Sequence, residues 1–200
     1  MKRAGFIAAA IGAGVNFGLF LLKLYIGISS NSLAIYCDSV NNLGDTLACG
    51  VALGGFFWMK RLGERQSLRA QSLFTFIISI FIAVTGVFFL YHGTERLMYP
   101  TPVSYLVKYA VLLALTIAVK LVLGLTFRAF HKKAPSPVLK ALELDSYLDC
   151  FVTLAALMSL VLVERVNFAV DGMLAIAAGG FITVSAIKNI LQESKYLINN

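Results

Sequence analysis

Two pairs of oxygen-bearing side chains interrupt segments that otherwise read as membrane-spanning. Asn41 and Asp45 lie in NSLAIYCDSVNNLGD, and Asp145 and Asp149 lie in LELDSYLDC. Each pair is spaced i, i+4, which puts both members on one face of a helix about one turn apart. Carboxylates inside an apolar span are costly unless they face a bundle interior, a partner or a cavity. Packed together, the two stripes offer one amide oxygen and three carboxylates to a single divalent cation. All four donors are hard oxygens, a set that suits manganese, magnesium or calcium, whereas zinc usually takes imidazole or thiolate. Magnesium sheds its waters reluctantly, which counts against it at a partly dehydrated site. Iron(II) stands next to manganese in affinity order. Asp38, Asn42 and Cys49 lie on or beside the first stripe and are candidates for a polar pathway. Asp38 lies about 10 Å along the axis from Asp45, too far to share one ion.

The elements that must carry these pairs are helices. Of the 200 residues, 59% are hydrophobic and only 14% charged, and the mean hydropathy is +0.83. Soluble domains are nearer 45–50% apolar and roughly 25% charged. Apolar runs of about 20 residues give six candidate spans: Gly5–Ile28, Ser32–Met59, Leu73–Tyr91, Val103–Phe127, Pro137–Val163 and Phe168–Leu191. The expected fold class is therefore an all-α membrane protein with six transmembrane helices, residues 1–200 forming a single transmembrane domain with no C-terminal cytoplasmic domain. Ser32 or Asn31 is positioned to cap the second helix. Pro100, Pro102, Pro135 and Pro137 mark loops or helix starts.

The formal net charge of +7 does not indicate nucleic acid, because the basic residues sit at segment ends and form no single patch. Lys2, Arg3, Lys60, Arg61, Arg65, Arg69, Arg128, Lys132, Lys133, Lys188 and Lys195 fall on one side, and Arg96, Lys108 and Arg165 on the other. The positive-inside rule then puts both termini in the cytoplasm, in a multi-pass protein of a bacterial-type plasma membrane. Cys37, Cys49 and Cys150 form no CxxC or Cys/His cluster, which argues against a structural zinc site. There is no Walker-type phosphate loop. Lys23 and Lys108 are expected to snorkel to the interface. Lys120 lies deeper, with a partner that sequence does not name. Asp171 opens the last span, where capping of its own helix is the default. Asn41 and Asn42 also suit helix-to-helix hydrogen bonding.

NSLAIYCDSVNNLGD resembles the second-helix signature of the cation diffusion facilitator transporters. LKALELDSYLDCFVT resembles their fifth-helix signature, and DGMLAIAAGGFITVSAIKNILQESKYLI their sixth helix and its exit. The resemblance covers nearly the whole chain. It implies a six-helix fold, a homodimer in membrane lipid, and exchange of a divalent metal for protons by alternating access around Asn41, Asp45, Asp145 and Asp149. Asn-x-x-x-Asp with Asp-x-x-x-Asp looks like the manganese-type branch, with Fe2+ or Zn2+ next, and implies a secondary antiporter, not an enzyme. Members usually continue into a cytoplasmic metal-binding domain, and the second loop KRLGERQSLRAQS lacks their usual histidine. The dimer is then expected to rest on transmembrane contacts through small residues such as Gly50, Gly54, Gly55, Gly172, Gly179 and Gly180. The alternative from another class is a non-transporting membrane scaffold or assembly subunit. An intramembrane aspartyl protease lacks its Gly-x-Gly-Asp-like run.

Overall fold

The computed structural model describes residues 2–62, 64–133, 137–162 and 170–199. Within these helices the side chains of 2–4, 52, 55–62, 64, 67, 71, 133, 137–141 and 199 lie outside the description. So do residues 1, 63, 134–136, 163–169 and 200 altogether. The expectations on Lys2, Arg3, Lys60, Arg61, Lys133, Pro135 and Arg165, and on Gly55, therefore lie outside the described residues, whereas Pro137 opens a helix as expected.

Among the described residues the chain is six α-helices and no strand: α1 (Lys2–Ser30), α2 (Leu33–Leu62), α3 (Glu64–Met98), α4 (Val107–Lys133), α5 (Pro137–Leu162) and α6 (Val170–Asn199). Five of them, all but α2, are long and apolar enough to cross a membrane. In α2, Asp38, Asn41, Asn42 and Asp45 interrupt the apolar run. The chain is an integral, multi-pass membrane protein. Its polarity is inverted relative to a water-soluble bundle. Phe81, Val84, Leu125 and Phe151 are exposed, while Lys23, Asp38, Asn42 and Lys120 are buried. Apolar side chains facing outward are at no disadvantage in lipid, and polar ones must find partners inside.

Helix boundaries differ from the sequence expectation mainly around α3, which begins at Glu64. Most of KRLGERQSLRAQS is thus helix, not loop. His92 lies within α3, its Nδ1 2.9 Å from Glu95 Oε2.

Three antiparallel pairs dominate the packing, α3 with α6, α1 with α2, and α4 with α5; α2 also touches α3, α5 and α6. The α1–α2 turn is fixed locally. Ser32 N–H donates to Gly27 O at 3.0 Å and Asn31 N–H to Ile28 O at 3.2 Å. This is the double bond pattern that closes a helix through one left-handed residue. Asn31 takes that conformation, with φ 56°, which asparagine tolerates better than most residues. Ser32 then caps α2, its Oγ accepting from Ile35 N–H at 3.3 Å.

Asp171 corrects the sequence expectation. It caps α2 rather than its own helix, accepting from Ser32 Oγ at 2.5 Å, Leu33 N–H at 2.8 Å and Ala34 N–H at 3.2 Å. These are the donors a helix start leaves without intrahelical partners. Arg96 of α3 balances the charge, 2.7 Å from Asp171 Oδ2, and also donates to the Asn31 carbonyl. One carboxylate therefore ties α2, α3 and α6 together at one end of the bundle. At the other end Ser72 of α3 donates to Glu193 of α6.

The α3–α6 seam is built on glycine. A Cβ at Gly179 would lie 2.9 Å from Phe89 Cβ and 3.0 Å from Gly86 O, and one at Gly172 would lie 3.0 Å from Gly93 O. Gly172 and Gly179 are thus occupied within one chain, which corrects their expected role in a dimer contact. Gly50 has open space beside it. Gly179→Leu is expected to lower the unfolding free energy in detergent by about 1–3 kcal/mol, the usual cost of overpacking a filled interface. Gly18→Ala, where nothing lies within 4 Å, is the control and should leave the thermal midpoint nearly unchanged.

Candidate metal centre

The carboxylates of α2 and α5 meet inside the bundle. Asp45, Asp145 and Asp149 each offer an oxygen, and these atoms lie within 4.8 Å of one another. The i, i+4 spacing on α5 puts Asp145 and Asp149 on one face, and α2 packs that face with Asp45. Among the described residues the group contains no histidine or cysteine. Apolar clusters flank it along the bundle. Ile26, Ile35, Leu113 and Leu160 lie toward the α1–α2 turn, and Ala8, Leu123 and Phe127 lie toward the opposite end.

Asn41 belongs to the same constellation, with its amide turned. Its Nδ2 donates to Asp149 Oδ1 at 2.6 Å. Rotation of the terminal amide would present its oxygen at the same place, since that torsion is broad and two-fold. Lys120, on α4, is the cation that sequence left without a partner. It is 1% exposed, its Nζ lies 3.1 Å from Asp45 Oδ2, and it also contacts Asp149 Oδ2.

The remaining stripe residues take other places. Asp38 is fully buried and pairs with Lys23 of α1 at 2.9 Å. Lys23, expected to snorkel, is instead fully buried, and donates to Thr153 Oγ1 at 2.7 Å. It stands seven residues from the end of α1, and Asp38 beside it gives the ammonium a partner inside the bundle. Thr153 in turn donates to the backbone carbonyl of Asp149 at 2.9 Å. A polar chain thus runs Asp38, Lys23, Thr153, Asp149 and joins α1 and α2 to the centre of α5. Asn42 is buried and donates back to the Asp38 carbonyl at 2.9 Å. Cys49 is buried with its sulfur against Gly12 of α1. Cys150 points at the Ser146 carbonyl, 3.3 Å away. Sequence reasoning missed Lys23 and Thr153 as partners. The available signal was charge: lysines deep in apolar spans need acids as much as acids need cations.

An all-oxygen group of three carboxylates and an adjacent amide is suited to hard divalent cations. Comparison with known proteins bears on the chain as a whole. Residues 9–198 match the family model described as the cation efflux transmembrane domain. The chain is similar to the putative metal tolerance protein C3 of Arabidopsis thaliana, 24% identical over 207 residues, covering 96% of this chain and 48% of that protein. It is also similar to metal tolerance protein 4 of Oryza sativa subsp. japonica, 27% identical over 177 residues, covering 81% of this chain and 42% of that protein. The chain thus spans about half the length of these relatives.

The buried Lys23–Asp38 pair makes a stability prediction. Lys23→Met leaves Asp38 charged and unpartnered, which costs about 3–5 kcal/mol. Adding Asp38→Asn to Lys23→Met is expected to recover much of that loss. A double-mutant cycle on unfolding in detergent measures it. Simple additivity of the Lys23→Met and Asp38→Asn effects in that cycle would show that the pair carries no coupling.

Proposed function

The chain belongs to the cation efflux family, and from that membership we propose that it exports a divalent metal cation, manganese in preference to iron or zinc, in exchange for protons. The observation that carries this reading is the group of three carboxylates gathered by α2 and α5 within 4.8 Å. Carboxylates so close repel one another unless a cation or protons intervene. Metal ligands must be deprotonated to bind, so cargo and protons compete for the same oxygens. Protons arriving from the far side then displace the metal, and the exchange cycle needs neither ATP nor a covalent intermediate.

Asp45, Asp145 and Asp149 are the proposed ligands, with Asn41 as the fourth once its amide oxygen turns inward. A neutral amide suits manganese, and the lack of imidazole in the group disfavours zinc. Alternating access about this centre is supported by its place between two apolar clusters along the bundle. The proposed topology has six spans with both termini cytoplasmic. It is supported by the clustering of Arg65, Arg69, Arg128, Lys132, Lys188 and Lys195 toward one end. A homodimer is proposed from family membership.

The test is uptake of manganese, iron and zinc into proteoliposomes under an imposed pH gradient. Asp45→Ala and Asp149→Ala are each expected to cut manganese flux by more than about a hundredfold, beyond the range seen for outer-shell changes, while the protein stays inserted and folded. Wild-type flux in either variant would remove the site. Asn41→His is expected to move preference from manganese toward zinc in competitive uptake. A parent that already prefers zinc, together with an inert Asn41→His, would refute the role given to Asn41.

A further inference from the structure

Lys120 lies at the midpoint of α4 (Val107–Lys133), and its ammonium rests on oxygens of two of the three gathered carboxylates. Among the described residues α4 makes no close backbone approach to α2, so the four-carbon arm is what reaches Asp45. Both oxygens of Asp149 are engaged: Oδ2 by Lys120 and Oδ1 by the Asn41 amide. A cation entering the group therefore meets ligands already held by another cation.

We propose that Lys120 is the centre's own tethered counter-cation: it sets the charge that the centre accepts and yields its oxygens as cargo enters. The inference rests on the metal-export reading and deepens it. Charge counting carries the first part. Asp38 and Lys23 close on each other at 2.9 Å and contribute no net charge. In the deprotonated form that binds metal, Asp45, Asp145 and Asp149 bring three negative charges, and Lys120 removes one, leaving two. A divalent cation neutralises that remainder. A monovalent ion leaves a buried negative charge and a trivalent ion a buried positive one, and uncompensated charge at such depth is strongly unfavourable.

Geometry carries the second part. The lysine stem has several rotatable bonds and its ammonium three freely directed donors, so the head group can leave Asp45 and Asp149 while α4 stays in place. When cargo departs, the ammonium returns to the same oxygens. Lys120 thus weakens cargo binding and speeds release. It acts on the ligands, not on the metal, and is a positioning and selectivity residue.

The experiment measures binding to the purified full chain in detergent. Manganese binding is followed by electron paramagnetic resonance of the free ion, and terbium(III) binding by luminescence, with competition between the two. Wild type is compared with Lys120→Met, Lys120→Gln, Lys120→Arg and Asp149→Asn. In Lys120→Met, manganese should bind more tightly, and the preference should shift toward terbium by about tenfold or more, since one unit of buried charge is removed. Lys120→Gln keeps polarity without charge and should shift likewise, which preserves the test if the methionine variant does not fold. Lys120→Arg keeps the charge and should retain the wild-type ratio. An unchanged ratio in both neutral variants, or an equal shift in Lys120→Arg, overturns the proposal while leaving the metal centre intact, because a purely structural lysine would move both affinities together. Undiminished manganese binding in Asp149→Asn overturns the centre and the proposal together.

Discussion

Charge balance inside an apolar medium is the constraint on which the rest of this bundle depends. Four carboxylates and two lysines are held among helices whose outward faces are Phe, Val, Leu and Ile. None can be left alone at that depth, because the cost of an isolated ion exceeds the net contribution of most single contacts in the protein. The pairing Asp38–Lys23 and the bridge Asp45–Lys120–Asp149 dictate which faces of α1, α2, α4 and α5 turn inward. The apolar clusters on either side of the centre then close around faces already chosen by charge.

A second set of contacts holds α2 in register. Its first turn is docked on Asp171 of α6, with Arg96 of α3 completing the ion pair. Because Asp45 sits on the same helix, the depth of the candidate ligand is coupled to a carboxylate at the end of the bundle. The α3–α6 seam gives that anchor a firm base. Its glycines let the two backbones approach so closely that a single Cβ would collide, and close approach maximises dispersion and weak C–H contacts where no hydrophobic effect drives helices together. The result is a tight α3–α6 pair beside an α1–α2–α4–α5 group that carries every charge of the centre. Alternating access, as proposed, requires motion within or between such units, and the two are joined by the hydrogen bonds of Asp171 and by an apolar cluster of Cys37, Phe89 and Ile182.

The helical pattern and the two i, i+4 pairs were legible in the sequence, because both are local. Apolar run length marks a span, and a spacing of four puts two oxygens on one face whatever surrounds them. Asn41 and Asp45, and Asp145 and Asp149, were singled out on that ground alone, and Ser32 as a cap on similar local grounds. Tertiary structure decided which groups met. Lys23 finds Thr153 across 130 residues, Lys120 finds Asp45 across 75, and Asp171 finds Leu33 across 138. Those meetings depend on how each helix is rotated and shifted against its neighbours, a set of rigid-body choices that no single helix's periodicity contains. For the same reason Lys23 read as a snorkelling residue, Asp171 as a cap for its own helix, and Gly172 and Gly179 as free surface. A side chain's type limits what it can bind, but its partner is set by packing, and in lipid by the need of every buried charge to find an opposite one.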